Sequence, residues 1–268
     1  MTVRAQEFFA HPPSLAGGAP ILRVQDVSVG YGGVRAVDAV TLDIAPGEIV
    51  GVIGPNGAGK SSLLGALGGQ VRSSQGRVLL GDRDISRMLP HDRARLGLMR
   101  TFQTTSEFAR MTVFENLVTA AEGDSGASLA AVVLHPHRTA EREKQLAQRA
   151  WEVLERFEMA HTADLYGGEL SGGQRRLVEI MRCLMREPRV LLLDEPMVGV
   201  AHHLTGKLVS DLRSVAAEGL GILIVEHALE VVHRLCDVVV VMAFGKVIAQ
   251  GEFEEVVKDP QVQAAYLS

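Results

Sequence analysis

Gly54-Pro55-Asn56-Gly57-Ala58-Gly59-Lys60-Ser61 reads as a cradle for phosphate groups. Glycines at 54, 57 and 59 admit backbone turns closed to residues with a Cβ, so successive N–H groups can converge on polyphosphate oxygens. Lys60 adds a point charge for β- and γ-phosphates, Ser61 offers a hydroxyl to Mg2+, and the run of candidate contacts continues to Ser62. The helix expected from here, through Leu63, Leu64 and Leu67, would aim the positive end of its dipole at the same anion.

Such a loop has this meaning only between a strand and a helix. Glu48 to Ile53 (EIVGVI), after the Pro46-Gly47 turn, is the short, apolar, β-branched run expected of a buried parallel strand. With 268 residues, 47% hydrophobic and 22% charged, the chain can bury a sizeable core as one large α/β unit or two subdomains. A net charge of -5 and a pI near 6.0 leave no basic footprint for nucleic acid. Cys183 and Cys236 each lie in an apolar stretch and read as small core hydrophobes. No apolar run reaches the roughly 18 to 20 residues that span a bilayer, so the chain is not expected to cross a membrane itself. Residues 1–20 lack the basic-then-apolar order of a secretory signal, and their Pro, Gly and Ala content predicts a flexible tail.

Folding is expected to begin at Ile21. Ile21 to Val29, the Tyr31-Gly32-Gly33 turn, and the alternation of Val40, Leu42 and Ile44 predict a hairpin-rich antiparallel region. Tyr31, in that turn, is a candidate platform for a nucleotide base. Gly76 to Leu80 reads as a further strand. Between Gln103 and Glu187 the pattern becomes helical, with Leu146, Ala150, Val153, Leu154 and Phe157 on one face. Leu170-Ser171-Gly172-Gly173-Gln174 then opens a helix expected over Leu177 to Met185, a second anion-binding N-terminus. His135 with His137, and His202 with His203, have no third ligand nearby and read as solvated.

Val190 to Leu193 is a fully apolar strand ending in Asp194-Glu195-Pro196. Open α/β sheets place ligands at the C-terminal ends of such strands. Alternation along the strand would send the two carboxylates to opposite sides, Asp194 toward a Mg2+ shell and Glu195 toward an attacking water. Gly221 to Val225 (GILIV) is another buried strand, closed by Glu226-His227.

From Ile21 onward these stretches resemble the nucleotide-binding subunits of ABC transporters. GPNGAGKS resembles the phosphate loop, LSGGQ the signature, and LLLDEP the Walker B strand with its glutamate. Gln103 in RTFQ is similar to the Q-loop glutamine, His227 to the switch histidine, and Tyr31 to the adenine-stacking aromatic. The resemblance implies an α/β P-loop NTPase fold: a single ATPase domain over 21–268, with a RecA-like core and antiparallel β subdomain (21–102 and 188–268) and a helical subdomain (103–187). It implies ATP as substrate, with adenine on Tyr31, phosphates on the Gly54 to Lys60 backbone, and Mg2+ on Ser61, Gln103 and Asp194. Glu195 would polarise the water and His227 hold the γ-phosphate. Ser171, Gly172, Gly173 and Gln174 would reach the nucleotide of a second ATPase subunit, identical or not, in a head-to-tail dimer.

RTFQ, MTVFENL, RRLVEIMRCLM, VEH and DPQVQAAYLS further resemble the ATPases of bacterial importers for branched-chain amino acids, amides and urea. That implies membrane permeases as partners, contacted near Phe108 and Met111, and indirectly a periplasmic binding protein. It also implies a peripheral place on the cytoplasmic face of the inner membrane. The alternatives are a soluble, non-transport ABC ATPase and a weakly hydrolysing, nucleotide-gated subunit of a heteromeric transporter. One departure bears on the latter: Gly199-Val200-Ala201 stands where the family has Gly-Leu-Asp or Gly-Leu-Asn, without the side chain that couples two sites across a dimer.

Overall fold

A computed structural model describes residues 19–101, 109–122 and 136–267. Gln103, Phe108, His135 and the tail before residue 19 lie outside these segments. The chain order is β1 (Leu22–Tyr31), β2 (Val34–Ile44), β3 (Ile49–Ile53), α1 (Lys60–Gly68), β4 (Gln75–Leu80), β5 (Arg83–Asp84), α2 (Pro90–Arg95), β6 (Leu98–Arg100), α3 (Val113–Glu122), α4 (Pro136–Arg156), α5 (Gly172–Leu184), β7 (Val190–Asp194), α6 (His202–Ala217), β8 (Gly221–Val225), α7 (Leu229–Leu235), β9 (Val238–Ala243), β10 (Lys246–Gly251), α8 (Phe253–Val256) and α9 (Pro260–Leu267). Two compact units result: residues through Arg100 with Pro188–Pro196 and the chain from Leu212, and Thr101–Glu187 with Met197–Asp211.

The first unit holds two sheets. One is antiparallel, in the order β2-β1-β4-β5, with β1 and β2 joined by the two-residue Gly32-Gly33 turn. Tyr31 is the last residue of β1, paired with Val34. The other sheet runs β10-β9-β3-β8-β7-β6 and is parallel from β9 to β6, with only β10 reversed. Every residue of β3, β7 and β8 is buried, as continuous apolar runs must be when both faces of a parallel sheet are covered. Leu22, Ile44, Val50, Leu63, Leu67, Leu192 and Leu223 share one core drawn from both sheets and α1. Fully burying each such side chain stabilises the fold by about 1.5–3 kcal/mol. Cys236 packs directly against β3 because a glycine stands opposite it: a Cβ on Gly51 would lie 2.6 Å from its Sγ. Both cysteines are buried and neither forms a disulfide, and burial pushes each thiol up to about 12.

In the second unit the apolar face read from α4 is buried at Ala150, Val153 and Leu154, continues to Phe157, and is half-buried at Leu146. Trp151 packs on Phe114 of α3, ring centroids 5.4 Å apart. Arg149 of α4 donates to the Leu184 carbonyl at 3.0 Å and pairs with Glu187, tying α4 to the end of α5. The helix expected from Leu177 begins five residues earlier, at Gly172, because Ser171 caps it. Met197–Asp211, on the core side of the boundary drawn from sequence, cluster with this second unit.

Candidate functional site

In the first unit, adjacency of β3, β8 and β7 brings three strand ends together: Gly54 follows β3, Glu226 follows β8, and Asp194 closes β7. The loop after β3 turns into α1 through Gly59, whose φ of 102° is left-handed and whose Cβ, if present, would lie 2.1 Å from the Ala36 carbonyl oxygen. Only glycine satisfies both conditions. The loop frames a cavity of about 230 Å3 lined by Ala36, Asn56–Ser62, Glu195 and His227.

Lys60 is buried, and its Nζ donates to the carbonyls of Gly54 at 2.7 Å and Pro55 at 2.9 Å. Burial lowers its pKa, while the Glu195 and Asp194 carboxylates oppose that shift. An amine parked on two carbonyls beside the cavity can turn to an anion without crossing solvent. Ser61, at the first turn of α1, opens onto the same space.

Asp194 is 5% exposed and receives a hydrogen bond from Arg100 Nη2 at 3.0 Å. Glu195 is not aimed by strand alternation, as expected from sequence, because the strand ends at Asp194. Its backbone instead takes a left-handed φ of 47°, with its N–H donating to the Val225 carbonyl at 2.9 Å. A non-glycine residue held there costs about 1–3 kcal/mol, and such strain gathers at functional sites. The turn puts Glu195 Oε1 2.9 Å from His227 Nε2. The His227 N–H in turn donates to the buried Glu226 carboxylate at 3.0 Å, which fixes the loop carrying the imidazole.

The second unit carries Ser171–Gln174. Ser171 Oγ accepts from the Gln174 N–H at 3.3 Å, and Gln174 Oε1 from the Ser171 N–H at 3.0 Å, a reciprocal cap on α5. A Cβ on Gly173 would lie 2.9 Å from the Gly199 carbonyl oxygen and 3.0 Å from Val200 Cα, so Gly173 is where loop 197–201 touches the helix. Ala201 is exposed and its carbonyl accepts the N–H of Leu204 at 2.8 Å, opening α6.

A glycine loop with a buried lysine and a paired glutamate and histidine thus meet at one cavity beside neighbouring strand ends. Residues 37–198 match the family model described as ABC transporter, and residues 246–267 the model described as Branched-chain amino acid ATP-binding cassette transporter. The chain belongs to the ABC transporter family. Among its relatives, the probable branched-chain amino acid transport ATP-binding protein LivG of Archaeoglobus fulgidus is 35% identical over 247 residues, covering 92% of this chain and 95% of its own. The lipopolysaccharide export system ATP-binding protein LptB of Haemophilus influenzae is 36% identical over 250 residues, 92% of this chain and 97% of its own. The crystal structure of a nucleotide-free ATP-binding cassette from an ABC transporter superposes with a TM-score of 0.81 at 33% identity, over 93% of this chain and 100% of that one.

This ABC cassette has the P-loop NTPase fold and is an ATPase. Not every expected contact falls at the cavity. Tyr31 is 49% exposed at the end of β1 and does not line it, Gly54, Pro55 and Asp194 are not among its lining residues, and Gln103 lies outside the described residues. The residues fit a hard divalent cation that shares its shell with substrate phosphates: a hydroxyl at Ser61 and a carboxylate at Asp194 supply oxygen only. Among the described residues no group of three or more His, Cys, Asp and Glu is arranged to hold a metal without such help.

Three residues escaped the sequence reading. Glu226 accepts from the His227 N–H, and Arg100 pairs with Asp194. Tyr266 of α9 has its phenol pushed up by burial, against a hydrogen bond with the Gly54 backbone that holds it down. Arg100 and Glu226 stand inside the RTFQ and VEH stretches, each a charged residue at the end of an apolar run, whereas Tyr266 left no such signal.

Proposed function

We propose that this chain is the ATPase subunit of an importer for branched-chain amino acids or for related amides or urea. The observation that carries the reading is the likeness of residues 246–267 to branched-chain amino acid cassette transporters, alongside relatives named for branched-chain amino acid transport. A lipopolysaccharide-export reading has comparable identity behind it, and the C-terminal likeness favours import. On this reading, residues 21–268 are one ATPase domain peripheral to the inner membrane, docked on permease subunits and paired with a second ATPase subunit.

ATP lies with its adenine on Tyr31 and its phosphates on the Gly54 to Lys60 backbone and on Ser61 and Ser62. Lys60 leaves the Gly54 and Pro55 carbonyls for the β- and γ-phosphates. Ser61, Asp194 and Gln103 would hold Mg2+, which when bound neutralises charge on those phosphate oxygens. Glu195 accepts the proton of the attacking water, and His227, 2.9 Å from its carboxylate, steadies that carboxylate and the γ-phosphate. Ser171, Gly172, Gly173 and Gln174 serve the nucleotide of the second subunit, so each ATP joins two chains.

Cells lacking this chain are expected to lose uptake of radiolabelled leucine, isoleucine and valine, or of urea and short amides. Unchanged uptake with altered surface lipopolysaccharide would overturn import in favour of export.

A further inference from the structure

Arg100 stands at the end of β6, in register with Leu192 of β7. From there its guanidinium reaches Asp194 Oδ2 at 3.0 Å through Nη2 and Gln70 Oε1 at 3.0 Å through Nη1. Both members of the ion pair are withdrawn from solvent, with side chains 17% and 6% exposed. The side chain lies along α1 where that helix has no bulk: a methyl group at Gly68 would come 3.1 Å from Arg100 Cδ. The arginine is therefore held by packing as well as by charge.

A carboxylate withdrawn from water needs a counter-charge, and a cation beside it reduces its attraction for any second cation. We infer that Arg100 is the standing counter-ion of Asp194 and sets how strongly Mg2+ and nucleotide binding are linked. The inference rests on the reading above that Asp194 faces the divalent cation. Without metal, Arg100 offsets the repulsion between Asp194 and the nucleotide phosphates. With metal, the same positive charge opposes it. Both effects hold down one ratio, the nucleotide dissociation constant without Mg2+ divided by that with it.

Titration of the purified chain with a fluorescent ATP analogue, in EDTA and in saturating Mg2+, measures that ratio without requiring hydrolysis. Arg100→Met should raise it by about tenfold, the size expected for one charge a few ångströms from a partly buried site. Arg100→Lys, which keeps the charge, should stay near wild type. Gln70→Leu removes the guanidinium's hydrogen bond to Gln70 while keeping its charge, and should leave the ratio unchanged. Should Arg100→Met fail to fold, Arg100→Gln carries the same test. A wild-type ratio in the charge-removing variant, or an equal rise in Gln70→Leu, would overturn the inference. Asp194→Asn separates the two layers: it should lower the ratio, and if it does not, the assignment of Asp194 to the cation fails first. A lowered ratio in Asp194→Asn with no change in Arg100→Met leaves that assignment standing and removes Arg100.

Discussion

At Glu195 a strained backbone and a reactive geometry coincide: φ is 47° and the carboxylate sits 2.9 Å from His227. Nothing in the fold requires an acid at this turn, since glycine would adopt the conformation at lower cost. Replacing it by Gln keeps the shape and removes the proton acceptor. Glu195→Gln is expected to bind ATP as wild type does while phosphate release falls by about a hundredfold or more, the usual weight of a general base. Parallel measurement of fluorescent-ATP binding and steady-state phosphate release checks this, and near-wild-type turnover would take the role away from Glu195. That a carboxylate follows Asp194 is visible in the sequence. Its direction is not, because alternation ceases where the strand ends and a left-handed turn takes over.

At the level of elements, α5 makes two adjacent glycines unlike. A Cβ on Gly172 would meet nothing within 4 Å, whereas one on Gly173 would press on the Gly199 carbonyl and Val200 Cα. Gly173→Ala should therefore destabilise the chain by about 1–3 kcal/mol, as overpacking does. Gly172→Ala, at an unstrained helical position, should be neutral or stabilising by up to about 1 kcal/mol. Thermal melts of the two variants decide it, and equal melting temperatures would mean that the loop yields freely to the methyl group. The helix itself was legible as a cap followed by an apolar face. That the second glycine is a contact point was not, since its partner lies 26 residues further along the chain.

For the whole transporter, Ala201 is where the proposed dimer and the single chain make separable demands. Its carbonyl already receives the Leu204 and Thr205 N–H groups, so position 201 caps α6 without a capping side chain. Ala201→Ser and Ala201→Asp should each raise stability by about 0.5–2 kcal/mol through a capping hydrogen bond. Only Ala201→Asp should also raise ATPase activity of the permease-bound complex, by about tenfold if one charge-assisted hydrogen bond to the second subunit is restored. Equal ATPase rates in both variants would place communication between the sites elsewhere. What could be read without coordinates was local: the glycine loop after an apolar strand, the capped helix, the buried runs of β3, β7 and β8, and their order, which together carry the family. Those features depend on backbone preference and on burial periodicity within a few residues. The pairing of Arg100 with Asp194 joins positions 94 apart, and the placing of Glu226 and His227 beside Glu195 joins two strands separated by a helix. Such contacts exist only once β6 lies against β7 and β7 against β8, and side-chain packing in three dimensions selects which charge meets which.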